Sequence, residues 1–124
     1  MRSDSLGILL ISAGHERAHY AFVLASGAAA IGRDVVLFAT NHGCHALRAD
    51  LEPLLGPHDA ALRAAGVAGL AELREASIEL GVRLIACEAG LRMADLPATA
   101  LAEGVEVAGV VTFLDAARGQ VLTL

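Results

Sequence analysis

Two cysteines and five histidines are the side chains of this chain whose types invite chemistry. Cys87 closes the apolar run Val82-Arg83-Leu84-Ile85-Ala86, and a helix-forming segment from about Ala89 to Ala94 follows it. A sulfur placed there meets the backbone N–H groups of a first helical turn. The positive end of the helix dipole then favours thiolate over thiol. The thiolate is the form that attacks or accepts sulfur. Glu88 works against this if its carboxylate turns toward the sulfur. The same position also suits a small buried hydrophobe at the end of a strand, and position alone leaves both readings open.

Cys44 lies in the polar loop Thr40-Asn41-His42-Gly43-Cys44-His45. Histidines on both sides of a cysteine fit an activated thiol or a metal ligand. No second ligand pair at metal-binding spacing closes such a site, so a metal would need Cys87 or His15 brought in through space. Cys44 stands either as a catalytic or redox partner of Cys87 or as an ordinary loop residue. His15 follows Gly14 at the end of another apolar run. It is an acid/base neighbour for a thiolate, or it caps the next helix. His19 falls one turn later on the same edge, and His58, in a Pro/Asp turn, is given no role.

Other chemistries lack their motifs. Ser12-Ala13-Gly14-His15-Glu16 has no G-x-G-x-x-G pattern, so no dinucleotide is implied. No serine or cysteine occupies a G-x-S-x-G elbow. All nine basic residues other than histidine are arginine, which removes Schiff-base chemistry and an intact Walker motif. No metal and no cofactor are expected.

The elements that must position these residues alternate. Leu6 to Ile11 and Val35 to Ala39 read as strands apolar on both faces, the signature of a parallel sheet covered by helices. Between them Arg17 to Ile31 reads as a helix stopped by Gly32. A helix over Ala46 to Leu55, shortened or kinked by Pro53, is expected next, then a turn at Gly56-Pro57-His58-Asp59. Leu70 to Leu80 reads as a helix ending at Gly81. Val82 to Ala86 is a strand, and Pro97 marks the first turn of another helix ending at Gly104. Val105 to Val107 is a short strand. Val110, Phe113, Leu114 and Ala117 recur at helical spacing, so Gly109 to Arg118 is a helix and Val121 to Leu124 a last strand. The fold class is α/β: one small domain over residues 1–124, with four or five mostly parallel strands and helices on both faces. Ligands of such sheets bind beyond the carboxyl ends of the strands. Both cysteines, His15 and the 41–45 loop fall there.

With 124 residues the chain suits one domain. Its apolar content of 56% exceeds the roughly 45–50% of ordinary domains, a hint of surface buried by another subunit. The net charge of −5 and thinly spread arginines argue against nucleic acid as a partner. Leu6 to Ile11 is too brief for a signal-peptide core, and no eighteen-residue apolar span suggests a membrane helix. A cytoplasmic protein is expected, with two thiols rather than a structural disulfide.

The stretches LGILLISAG, VVLFATNHG, GVRLIACEAGLRMADLP and EVAGVVTFLDAARGQVLTL together resemble the DsrE/DsrF-like family of small sulfur-relay proteins, which includes stand-alone members labelled peroxiredoxin-like. The resemblance spans nearly the whole chain. Its most diagnostic piece is the strand-end cysteine of LIACEAGLRM. The resemblance implies that Cys87 is the residue that accepts or carries a persulfide sulfur. It also implies a parallel α/β sheet, assembly into homo-oligomers such as trimers or hexamers, and protein partners that donate and accept sulfur. Cys44 has no counterpart carried over from the relay proteins. The leading expectation is a sulfur carrier, sulfurtransferase-like, that passes sulfur by thiol exchange. The alternative is a non-enzymatic oligomeric module holding a small ligand in a crevice lined by His15, Asn41, His42 and Cys87, with Glu88 beside it. A purely structural subunit is a third reading. Peroxidase chemistry lacks the threonine and arginine that a peroxidatic cysteine keeps as neighbours.

Overall fold

The computed structural model describes residues 5–124. Its single sheet holds β1 (Leu6–Leu10), β2 (Val35–Ala39), β3 (Arg83–Cys87), β4 (Glu106–Ala108) and β5 (Gln120–Thr123). The strand order is β4-β3-β2-β1-β5 and every neighbouring pair is parallel. The helices are α1 (His15–Ala30), α2 (Glu52–Ala64), α3 (Leu70–Glu79), α4 (Glu88–Met93) and α5 (Val110–Ala116). The expected small α/β domain is thus realised with five strands.

The topology explains an uneven covering of the two faces. From β1 the chain steps outward through β2 and β3 to β4. On one face Phe22 and Ala25 of α1, Leu70 of α3 and Leu91 of α4 join Ile8, Leu10, Leu37 and Leu84 in the main core. The last connection runs back across the whole sheet to pair β5 with β1. Right-handed crossovers in the reverse direction place the connecting helix on the opposite face. There Phe113 of α5 and Ala117, just past its end, pack with Val36, Phe38, Ile85 and Cys87. Phe38 and Phe113 stack with ring centroids 5.0 Å apart.

Three stretches depart from the periodicity reading. The loop after β2 is a 3-10 helix over Asn41–Leu47, and the expected helix over Ala46 to Leu55 is absent. Gly43 allows this segment to lie on the end of β1, because a Cβ there would run into the Leu10 carbonyl. Gly43 N–H donates to Ile11 and Thr40 carbonyls at 3.0 Å each. The helix starts later, at Glu52, with Pro53 in its first turn where proline is tolerated. The turn expected at Gly56 is instead a break inside α2, at φ 55° and ψ −165°. The helix expected from Pro97 to Gly104 shrinks to one 3-10 turn at Ala98–Ala100. Leu101 leaves helical geometry to bridge antiparallel to Arg48, and Ala102 N–H donates to the Leu47 carbonyl at 2.9 Å. Tertiary pairing outweighs local propensity there.

Candidate functional site

β3 delivers Cys87 to the carboxyl edge of the sheet, on the face covered by α5. Cys87 is also the N-cap of α4, with extended backbone at φ −69° and ψ 123°. Its Sγ accepts the Gly90 N–H at 3.4 Å. A backbone donor on sulfur stabilises negative charge there. Gly90 packs α4 against the segment after β2: a Cβ at this position would run into the Asn41 backbone nitrogen and the Thr40 hydroxyl. Cys87 is 8% exposed, so the sulfur of a lone chain is nearly closed to solvent.

Cys44 sits on the other side of the same edge, fully buried in the main core. Its Sγ donates to the Ala39 carbonyl at 3.4 Å. Burial pushes its thiol up to about 11, and the Cys87 sulfur adds to the rise while the Cys87 and Cys44 backbone groups work against it. Both cysteines are free thiols. The two are therefore electrostatic neighbours. The Cys87 sulfur caps α4 at the sheet edge, and burial holds the Cys44 thiol protonated.

The remaining residues of the loop surround this pair without entering it. Asn41 takes a left-handed conformation at φ 52°, which asparagine tolerates, and abuts Gly90. His42 is exposed and stacks on His45, with centroids 5.9 Å apart. Burial, Arg48 and His42 lower the pKa of His45. Glu88 turns along α4 to pair with Arg92 at 2.6 Å, so its carboxylate is engaged away from the sulfur. Sequence reasoning missed Arg48, whose Nε is buried with no hydrogen-bond partner among the described residues. It lines a cleft of about 250 Å³ with Ala13, His45 and Asp50. Among the described residues, no group of three or more His, Cys, Asp or Glu is arranged to hold a metal ion.

His15 belongs to a different cluster. Buried residues of α1 recur at His15, Ala18, His19, Phe22 and Ala25, so two histidines occupy the first core-facing positions of the helix. His15 Nε2 meets Asp59 Oδ1 at 2.8 Å, and the same oxygen accepts the Leu70 N–H at 2.8 Å. His19 Nε2 meets the Ala68 carbonyl at 2.9 Å. His15 stacks with His19 and with His58, at centroid distances of 5.7 and 6.2 Å. Burial alone would raise the Asp59 carboxyl. The Leu70 N–H, His15 and Arg63 outweigh it and hold the group below its ordinary value. Asp59 carried no signal in the sequence beyond its place in a turn.

Comparison with known proteins gives a consistent picture. The model of the DsrE/DsrF-like family matches residues 4–122. The protein named Sulfur carrier protein DsrE2 of Allochromatium vinosum is 27% identical, with 93% of each chain covered. The Bacillus subtilis protein YrkE, named as uncharacterized, is 29% identical over 92% of each chain. Among solved structures, the ychN protein from E. coli matches with a TM-score of 0.68 at 20% identity, covering 97% of this chain and 98% of the other. A protein of unknown function from Methanobacterium thermoautotrophicum matches at 0.58 and 16%, with the same coverage. At these identities the two structures speak for the fold.

Proposed function

The chain belongs to the DsrE/DsrF-like family, and from that premise we propose that it is a sulfur-handling protein in which Cys87 accepts a sulfane sulfur and passes it on. The Cys87 thiolate attacks the outer sulfur of a donor hydropersulfide. The donor S–S bond breaks, the donor leaves as a thiolate that takes up a proton, and Cys87 carries the hydropersulfide. An acceptor thiolate then attacks that outer sulfur, and Cys87 departs as the thiolate. Neither exchange needs an oxidant or a reductant. The transfer is stoichiometric, with one sulfur moved per carrier in each cycle. The name of the Allochromatium relative, a sulfur carrier protein, supports the carrier part of this reading.

The observation that carries this reading is the Gly90 N–H on Cys87 Sγ. It stabilises charge on the sulfur that must act as both nucleophile and leaving group. Cys44 plays a restraining part. With its thiol pushed up to about 11, Cys44 is held as the thiol at neutral pH. A thiol attacks poorly, so Cys44 leaves a persulfide on Cys87 intact instead of expelling it as hydrosulfide. Donor and acceptor proteins are the partners this reading requires, and a homo-oligomer is its working form. The near-closure of Cys87 favours one second reading, a binding module that uses the same edge without sulfur chemistry.

Intact mass after exposure to a persulfide donor separates the two. Wild type and Cys44→Ala are expected to gain one sulfur, about 32 Da, and Cys87→Ala is expected not to. No adduct on Cys87, together with no labelling of the folded protein by a thiol probe, ends the sulfur-transfer reading.

A further inference from the structure

A cleft of about 860 Å³ opens between α1 and α2, lined by the three histidines His15, His19 and His58. Its size lies within the roughly 300–1,000 Å³ of small-molecule sites. Tyr20, Val23, Leu62 and Val67 supply apolar wall. None of the chemistry assigned to the cysteines uses it. We infer that this cleft is a binding site for a small apolar molecule bearing a hydrogen-bond donor head, an amine or an alcohol.

The hydrogen bonds of the histidines fix this polarity. A carbonyl oxygen only accepts, so His19 Nε2 carries the proton that reaches Ala68. The Asp59 carboxylate likewise only accepts when ionised, and its lowered pKa keeps it ionised at neutral pH, so His15 Nε2 carries the proton there as well. In a ring whose Nε2 carries its single proton, Nδ1 is the remaining polar atom, a lone pair without a protein partner among the described residues. Two rings in this tautomer present acceptors to the cleft, and a ligand with donors matches them. Charge points the same way. The cleft has Glu16 at its rim and the Asp59 carboxylate behind His15, and no arginine lines it among the described residues. An anionic head meets repulsion and no counter-charge, whereas an ammonium or hydroxyl meets acceptors. The near-parallel stack of His58, His15 and His19, at 22° and 16° between planes, with Tyr20 on the wall, favours a flat apolar body.

The five histidines provide the readout, because three line this cleft and two, His42 and His45, stack elsewhere. Imidazole proton NMR signals are followed at pH 8 while millimolar phenethylamine, phenethyl alcohol or phenylacetate is added. These probes share one apolar body and differ in the head. The amine and the alcohol are expected to shift the His15, His19 and His58 signals and leave His42 and His45 still. Phenylacetate is expected to bind at least about tenfold more weakly, the cost of a misplaced acceptor. Ala61→Phe, at an exposed position of α2 lining the cleft, is expected to abolish the shifts without changing the unfolding midpoint. Equal binding of all three probes overturns the inference. So does stillness of the three cleft signals, or binding that survives Ala61→Phe in a folded protein. Persulfide loading of Cys87 is measured separately and its outcome does not bear on this one.

Discussion

Cys44 and Cys87 are unequal because of where their sulfurs sit, not because of their sequence neighbours. The histidines flanking Cys44 suggest activation, yet the structure turns Cys44 inward against the Ala39 carbonyl and sends His42 to the surface. Burial raises the Cys44 thiol from 9.0 to about 11. The folded state therefore holds this proton more tightly than the unfolded chain does. Stability from this group is complete below about pH 9 and is lost as pH rises through about 11, a loss on the order of 2 kcal/mol. Cys44→Ala removes the titrating group. Denaturant midpoints taken between pH 9 and 11 are expected to fall steeply in wild type and more shallowly in the variant. Parallel curves would mean that Cys44 titrates as an ordinary thiol.

The elements of the sheet were legible because they obey simple periodicities. β2 is buried at all five positions, and the β-α-β alternation follows from apolar runs separated by helical spacing. Cys87 was legible for the same reason, since it ends such a run. What escaped reading depends on contacts distant in sequence. His15 meets Asp59 across 44 residues, and the 97–104 segment gives up its helix to pair with the loop at Leu47 and Arg48. The junction of α4 with the Asn41–Leu47 segment is another such contact, and it rests on Gly90. Gly90→Ala improves local helix propensity by up to about 1 kcal/mol. The added methyl meets the Asn41 backbone, so overpacking of about 1–3 kcal/mol is expected to dominate. Urea unfolding that shows net destabilisation, with faster thiol labelling at both cysteines, is the expected result. A stabilised variant would show that the junction yields freely.

At the scale of the whole molecule, one face of the sheet is underdressed. α5 alone covers it among the described residues, and the outer side of that helix carries Val110, Val111 and Leu114, with Val111 77% exposed. Val121 pairs in register with Gly7, whose missing Cβ points at Ala117 and Phe113, so Val121 extends the same apolar face. Exposed aliphatic residues grouped in this way suit an interaction surface. Cys87 also lies on this face, packed with Phe113. A second copy docked on α5 would border the sulfur and tie assembly to access at Cys87. Leu114→Arg places a charge in that surface at a position already 56% exposed, so the fold tolerates it. Sedimentation is expected to show wild type as an oligomer and Leu114→Arg as a smaller species. Thiol labelling of Cys87 is expected to change rate between the two. If wild type sediments as a monomer, or if Leu114→Arg leaves the assembly intact, the subunits meet elsewhere or not at all, and Cys87 must open within one chain to exchange sulfur.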